Sequence, residues 1–315
     1  MALSYLQYDV FTGEPLLGNQ LAVFTDARGL DSEMMQLVAR EMNFSESTFI
    51  LPSERVDTDV RMRIFTPQVE MPMAGHPTIG STFALAHLGV IGPGASRFVF
   101  GLNIGPVTVD LEWSDGSPVR SATGSNRAAA AALRFAWMTQ SNPEFGAVID
   151  EREAVAGALG LTPYDLAPDL PLQRVSCGVP FLLIPLRDHQ SVDRATADTG
   201  GFRRLRAAIG LELPVYLFAL SPVGSPQTVY ARMFAAELGV IEDPATGSAA
   251  GPLGCYLVRH GLVTGADAQR IVSLQGVAMG RASRIHVSIG GSADAITQVK
   301  VGGEAVLVGR GELLV

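Results

Sequence analysis

The chain has 315 residues, about twice a typical single domain, so two lobes with separate cores are the first expectation. Apolar residues make up 47% and charged residues 17%, a balance that supports folding and excludes a disordered chain. A formal net charge of -8 excludes a general binder of nucleic acid or anionic membrane, because both roles need Lys and Arg against phosphates, and leaves a small molecule as the expected partner.

The first residues, Met-Ala-Leu-Ser-Tyr-Leu-Gln-Tyr-Asp-Val, carry neither a basic segment nor a long apolar one, and no later stretch has the length of a membrane span. A cytoplasmic protein is expected. Lys300 is the single lysine and stands in the strand-like run Ile296 to Val308, so neither a Schiff base nor a phosphate-loop lysine is available. Cys177 and Cys255 are too few for a disulfide framework or a zinc site, which suits a reducing compartment.

In chain order, Gly18 to Phe24 is a segment that recurs later, and Asn43 to Leu51 reads as a strand, followed by the strand Val60-Arg-Met-Arg63-Ile-Phe65 and the loop Glu70-x-Pro72-x-x-Gly75. His76 then stands as an N-cap with Pro77 at the first helical position, and the apolar segment Thr78 to Leu88 runs to Gly89, predicting a buried helix. Paired strands follow at Arg97 to Phe100 and Val107 to Leu111. The small-residue run Ser121 to Ala132 is the expected junction. Asp150-x-x-Glu153 opens a helix with a capping box that ends at Gly160, and Gly178 to Ile184 repeats the pattern of Gly18 to Phe24.

Val229-Tyr-Ala-Arg232-Met-Phe234 matches the earlier strand, and Glu242-x-Pro244-x-x-Gly247 matches the earlier loop. Ser248 is the natural cap of the second helix. Pro252 requires that this helix effectively start at Ala249 or later. The strand pair Arg270 to Leu274 with Ile285 to Ile289 follows, and Glu304 to Val315 reads as a last strand. The pattern is therefore α/β (α+β): two pseudo-symmetric lobes, each a central buried helix wrapped by a mostly antiparallel sheet.

Two central helices that begin at equivalent loops would turn their unpaired N–H groups and positive dipole ends to the interlobe cleft, a cradle suited to one carboxylate. Glu46, in Asn43-Phe-Ser-Glu46-Ser-Thr-Phe49, is the candidate general base if burial brings its carboxyl toward working pH. His87, His189, His260 and His286 have no metal-ligand spacing, and no GxGxxG follows a strand, so neither a metal nor a nucleotide cofactor is expected.

Tyr8-Asp9-Val10-Phe11-Thr12 with Gly18-Asn19, Ser45-Glu46, Phe65-Thr66-Pro67, Ala74-Gly75-His76-Pro77, and the run Glu242-Asp-Pro-Ala-Thr-Gly-Ser-Ala-Ala-Gly251 together resemble the PhzF family of phenazine biosynthesis. The resemblance spans nearly the whole chain. It implies the diaminopimelate epimerase-like fold, with lobes at 1–122 and 131–302 and the segment 303–315 returning to the first. It implies a cofactor-independent isomerase that moves a proton between carbons of a small carboxylate substrate, with Glu46, His76 and Asp243 catalytic and with Asn19, Gly75, Gly247 and Ser248 holding the substrate. It also implies a homodimer.

Two departures lie close to these motifs: Gln20 replaces the usual proline, and Pro252 interrupts the second helix. Ala74 and Thr246 stand near the places where racemases of the same fold carry thiols, which excludes a two-thiol mechanism. The alternatives are a non-catalytic protein binding a small carboxylate, and a hydro-lyase using Glu46 with Asp243 or His76 as acid.

Overall fold

A computed structural model describes residues 2–114, 132–210, 213–235 and 240–315. The expected junction falls largely outside the described residues. In chain order the elements are β1 (Ala2–Val10), β2 (Asn19–Phe24), α1 (Ser32–Met42), β3 (Glu46–Pro52), β4 (Val60–Phe65), β5 (Glu70–Met71), α2 (Gly75–His87), β6 (Arg97–Leu102), β7 (Gly105–Trp113) and β8 (Leu133–Gln140). There follow β9 (Glu144–Ile149), α3 (Arg152–Ala158), β10 (Leu172–Ser176), β11 (Pro180–Pro185), α4 (His189–Arg194), α5 (Thr199–Ile209), β12 (Val215–Leu220), β13 (Val229–Ala235) and β14 (Val240–Asp243). The chain ends with α6 (Gly247–Arg259), β15 (Ile271–Gln275), β16 (Ser283–Ser292), β17 (Ala295–Gly303) and β18 (Ala305–Leu314). The strand-like run around Lys300 is thus broken at Glu304.

The chain forms two compact units. The first comprises residues 1–16, 20–139 and 302–315, and the second 17–19 and 140–301. In the first, β2 pairs parallel with β3, β3 antiparallel with β4, β4 parallel with β6, and β6 antiparallel with β7. In the second, β11 pairs parallel with β12, β12 antiparallel with β13, β13 parallel with β15, and β15 antiparallel with β16. The repeat seen in the sequence is therefore a repeat of strand topology. β18 pairs antiparallel with β1 along its length, from Ala2 opposite Leu314 to Val10 opposite Ala305.

Each unit has a central helix with almost no polar face. In α2 every residue from Gly75 to Leu85 is buried, and in α6 every residue from Ala249 to Val258. Burying a side chain such as Ile79 or Leu257 contributes about 1.5–3 kcal/mol, which lets such a helix form with little help from propensity. Close packing needs small residues: a Cβ on Gly80 would lie 2.6 Å from Leu21 Cδ2, and one on Gly254 2.6 Å from Val287 Cγ1. A second layer in the first unit packs Met35, Val38 and Ala39 of α1 on Phe24, Phe49 and Phe65. Asp31 caps α1 by accepting from the Met34 amide.

Three local expectations are corrected. His76 is not the cap of α2: Ala74 holds that position in extended conformation and His76 lies within the first turn. Ser248 likewise lies inside α6, whose cap is Thr246, and Pro252 sits within the helix instead of limiting its start. Proline there forfeits one bond, to the Ser248 carbonyl, which a helix buried on every side outweighs. Third, no capping box forms at Asp150 and Glu153, since α3 starts at Arg152 with Glu151 as a cap that makes no side-chain bond.

Candidate active site

The first cluster lies in the first unit. Glu46 opens β3 opposite Leu21 of β2, and His76 enters from the first turn of α2. The His76 Nδ1 to Glu46 Oε2 distance is 3.2 Å, with His76 3% and Glu46 13% exposed at the side chain. By distance this is an ion pair, but burial pushes the imidazole down to about 3, outweighing a hydrogen bond with the Gln20 main chain that acts in the opposite direction. The ring is therefore neutral near pH 7, and the contact is a close approach of a neutral imidazole to a carboxyl group. Glu46 is not duplicated: Phe65 faces Ser47 across β3 and β4, Phe234 faces Val215 across β12 and β13, so the position matching Glu46 holds Pro214.

The second cluster lies in the second unit. Asp243 Oδ1 accepts from Asn19 Nδ2 at 2.8 Å and Asp243 Oδ2 from the Thr246 hydroxyl at 2.6 Å. Asn19 Nδ2 also donates to the Ala245 carbonyl at 2.9 Å. The Arg281 guanidinium fixes the segment that carries Asn19, donating from Nε to the Gly18 carbonyl and from Nη2 to the Leu17 carbonyl, each at 2.7 Å. Asp243 and Asn19 are buried.

Gly75 and Gly247 are the first residues of α2 and α6, and neither helix has a side-chain cap bond. Gln140 Nε2 donates to the Gly247 carbonyl at 3.0 Å. A Cβ on Gly251 would run into Gln140 Oε1, so glycine is needed one turn into α6. The structure thus brings Glu46 together with His76, and Asp243 together with Asn19. Ser248 is part-buried beside Gly247 in the first turn of α6.

Sequence reasoning missed the braces beneath both loops. Arg63 forks onto Glu70, Nε to Oε1 at 2.8 Å and Nη2 to Oε2 at 2.6 Å, and Arg232 forks onto Glu242 with both bonds at 2.8 Å. Each guanidinium also lies over the phenylalanine two residues on, 5.1 Å from the Phe65 centroid and 4.8 Å from the Phe234 centroid. The signal was available, since Arg, Phe and Glu recur together in the two repeats. The paired guanidinium holds the Glu70 carboxyl below the usual range, through its hydrogen bond first.

Cys177 and Cys255 are buried with sulfurs 3.8 Å apart, and their mutual hydrogen bond and burial push the Cys255 thiol up. Among the described residues no three His, Cys, Asp or Glu side chains converge as a metal site would require. None of the described helices is long and apolar enough to cross a membrane.

Residues 8–311 match the family model described as phenazine biosynthesis-like protein. The chain belongs to this family. It is 36% identical, over 99% of both chains, to an uncharacterised isomerase of Mesorhizobium japonicum. It is 34% identical, again over 99% of both, to the trans-2,3-dihydro-3-hydroxyanthranilate isomerase of Pseudomonas fluorescens. Among solved structures, a PhzF-family phenazine biosynthesis protein of Bacillus anthracis superposes with a TM-score of 0.84 at 26% identity, covering 100% of both chains. With relatives of this kind along its full length, the chain is an isomerase of mixed α/β, sheet-rich fold.

Proposed function

We propose that the enzyme moves a proton between two carbons of a small carboxylate substrate without a cofactor, with Glu46 as the acid and base. The contact between Glu46 and a neutral His76 carries this reading. A carboxylate largely out of water is a stronger base than one at the surface, and a neutral imidazole can orient it without the charge that would weaken it. Glu46 takes the proton from a carbon activated by the adjoining conjugated system, the electron pair delocalises into that system, and the protonated Glu46 returns the proton to a second carbon. Gly75 at the start of α2 in the first unit, and Asn19, Gly247 and Ser248 around the start of α6 in the second, are each proposed as substrate-holding groups. Asp243, acceptor on both oxygens, is proposed to meet a donor group on the substrate.

Hydro-lyase chemistry is less well supported, because it asks His76 or Asp243 to supply a proton. Trans-2,3-dihydro-3-hydroxyanthranilate, the substrate named for the Pseudomonas relative, is the first probe. Turnover in heavy water should place solvent deuterium on carbon, and Glu46→Gln should lower the rate by about 10²–10⁴-fold with the fold intact. Full activity in that variant refutes the assignment, and ligand stabilisation without exchange favours a binding protein. We further propose a homodimer, to be tested by sedimentation.

A further inference from the structure

Asp243 sits at the end of a chain of buried side chains that has only one consistent proton order. The Gln275 amide is fixed at both ends by main-chain groups: Oε1 accepts from the Thr246 N–H at 3.1 Å, and Nε2 donates to the Asp243 carbonyl at 2.7 Å. Neither contact allows the amide to be flipped, because a main-chain N–H cannot accept and a carbonyl cannot donate. The second hydrogen on Nε2 goes to the Thr246 hydroxyl at 3.0 Å. Since Thr246 accepts there, its own proton is directed to Asp243 Oδ2. On the far side Tyr216 donates to Gln275 Oε1 at 3.0 Å, which leaves Ser273, 3.0 Å from the same phenol, to donate to Tyr216. Ser273, Tyr216 and Gln275 are fully buried, and Thr246 and Asp243 each 6% exposed, so bulk water does not offer a competing order.

We propose that Gln275 is a positioning residue: anchored by Tyr216, it orients the Thr246 hydroxyl toward Asp243 and so keeps that carboxylate an acceptor on both oxygens. The inference deepens the proposed function and rests on its reading of Asp243 as a site residue. Gln275 touches Asp243 only through the main chain and acts on the carboxylate through Thr246. Around Asp243, Tyr216 on β12 feels its charge, while Arg232 on β13 and Glu242 on β14 are forked onto each other.

The test uses the full chain without ligand, following the Asp243 carboxyl carbon by NMR against pH. Removing a donor from a carboxylate raises its titration midpoint. Thr246→Val should raise it by about one unit or more, and Thr246→Ser should restore it. Gln275→Met should raise it in the same direction although it leaves both donors of the carboxylate in place. Tyr216→Phe, which removes one hydroxyl, should give a smaller rise and serves if Gln275→Met does not fold. With trans-2,3-dihydro-3-hydroxyanthranilate as probe, the acid limb of kcat/KM should move with the midpoint while KM changes little. A Thr246→Val midpoint that rises while those of Gln275→Met and Tyr216→Phe stay at the wild-type value overturns the proposal. Failure of the wild-type enzyme to turn over the probe removes that substrate assignment and leaves the NMR result to decide Gln275.

Discussion

Burial of His76 makes the stability of the fold depend on pH with a defined sign. An unfolded histidine titrates near 6.5 and the folded ring near 3, so the folded state binds fewer protons between these values. The contribution is intact above the unfolded value and is lost as pH falls through the window from 6.5 toward 3. At about pH 5 the folded ring is still neutral, so the loss is set by the unfolded chain taking up its proton, about 1.5 units below 6.5. At ~1.4 kcal/mol per unit that is about 2 kcal/mol relative to neutral pH. His260 and His286 are displaced in the same direction by burial, so the wild-type slope alone does not isolate His76. The informative quantity is the difference between wild type and His76→Asn, which keeps a donor toward Glu46 but does not titrate. Urea midpoints and slopes at about pH 7 and pH 5 give it, and the wild type should lose about 2 kcal/mol more than the variant. If acidification stabilises the wild type relative to His76→Asn, the ring is an imidazolium paired with Glu46 and the neutral-imidazole reasoning fails.

Gly276→Ala should cost about 3 kcal/mol or more by urea denaturation, because φ is 77° and the Cβ would meet the Arg281 carbonyl and, at 2.5 Å, the Pro244 carbonyl. Both carbonyls belong to segments that hold the second cluster, so binding of the probe should weaken as well; a variant as stable as wild type contradicts the backbone geometry. In a double-mutant cycle of Arg232→Lys with Glu242→Gln, the buried fork should give a coupling above about 1 kcal/mol, since lysine cannot donate to both oxygens. Arg28→Lys with Asp26→Asn is the exposed control, and equal couplings in the two cycles would refute the role given to burial.

The repeat carried most of the fold. Matching Val60 to Phe65 with Val229 to Phe234, and one glycine-ended loop with the other, located β4, β13 and both central helices, because close packing of a buried helix restricts its residues to small and apolar types. The caps were misread for a physical reason. Side-chain capping is worth about 1 kcal/mol, and at helices buried on every side packing decides where the first turn begins, so Ala74 serves where a polar residue was expected. Glu46 and His76 were legible as a motif, but their contact was not, since thirty residues of chain separate them and the pairing of β3 with β2 and β4 brings Glu46 to its place. Gln275 left no trace at all. A glutamine at the end of a strand looks like any polar terminus, and its four bonds exist only once β12, β14 and β15 are assembled.

The pairing of β1 with β18 has a consequence for biosynthesis. A ribosome makes β1 before the second unit and β18 only after the whole of it, so the first unit stays unfinished throughout translation of the second. Until then nine residues of β1 lack the partner that β18 supplies, a sheet edge open to pairing with any other nascent chain. The second unit draws only Leu17 to Asn19 from upstream and is free to condense first. Elongation should therefore yield a folded second unit ahead of a folded first, and a stall before Ala305 should leave a chain prone to associate through β1.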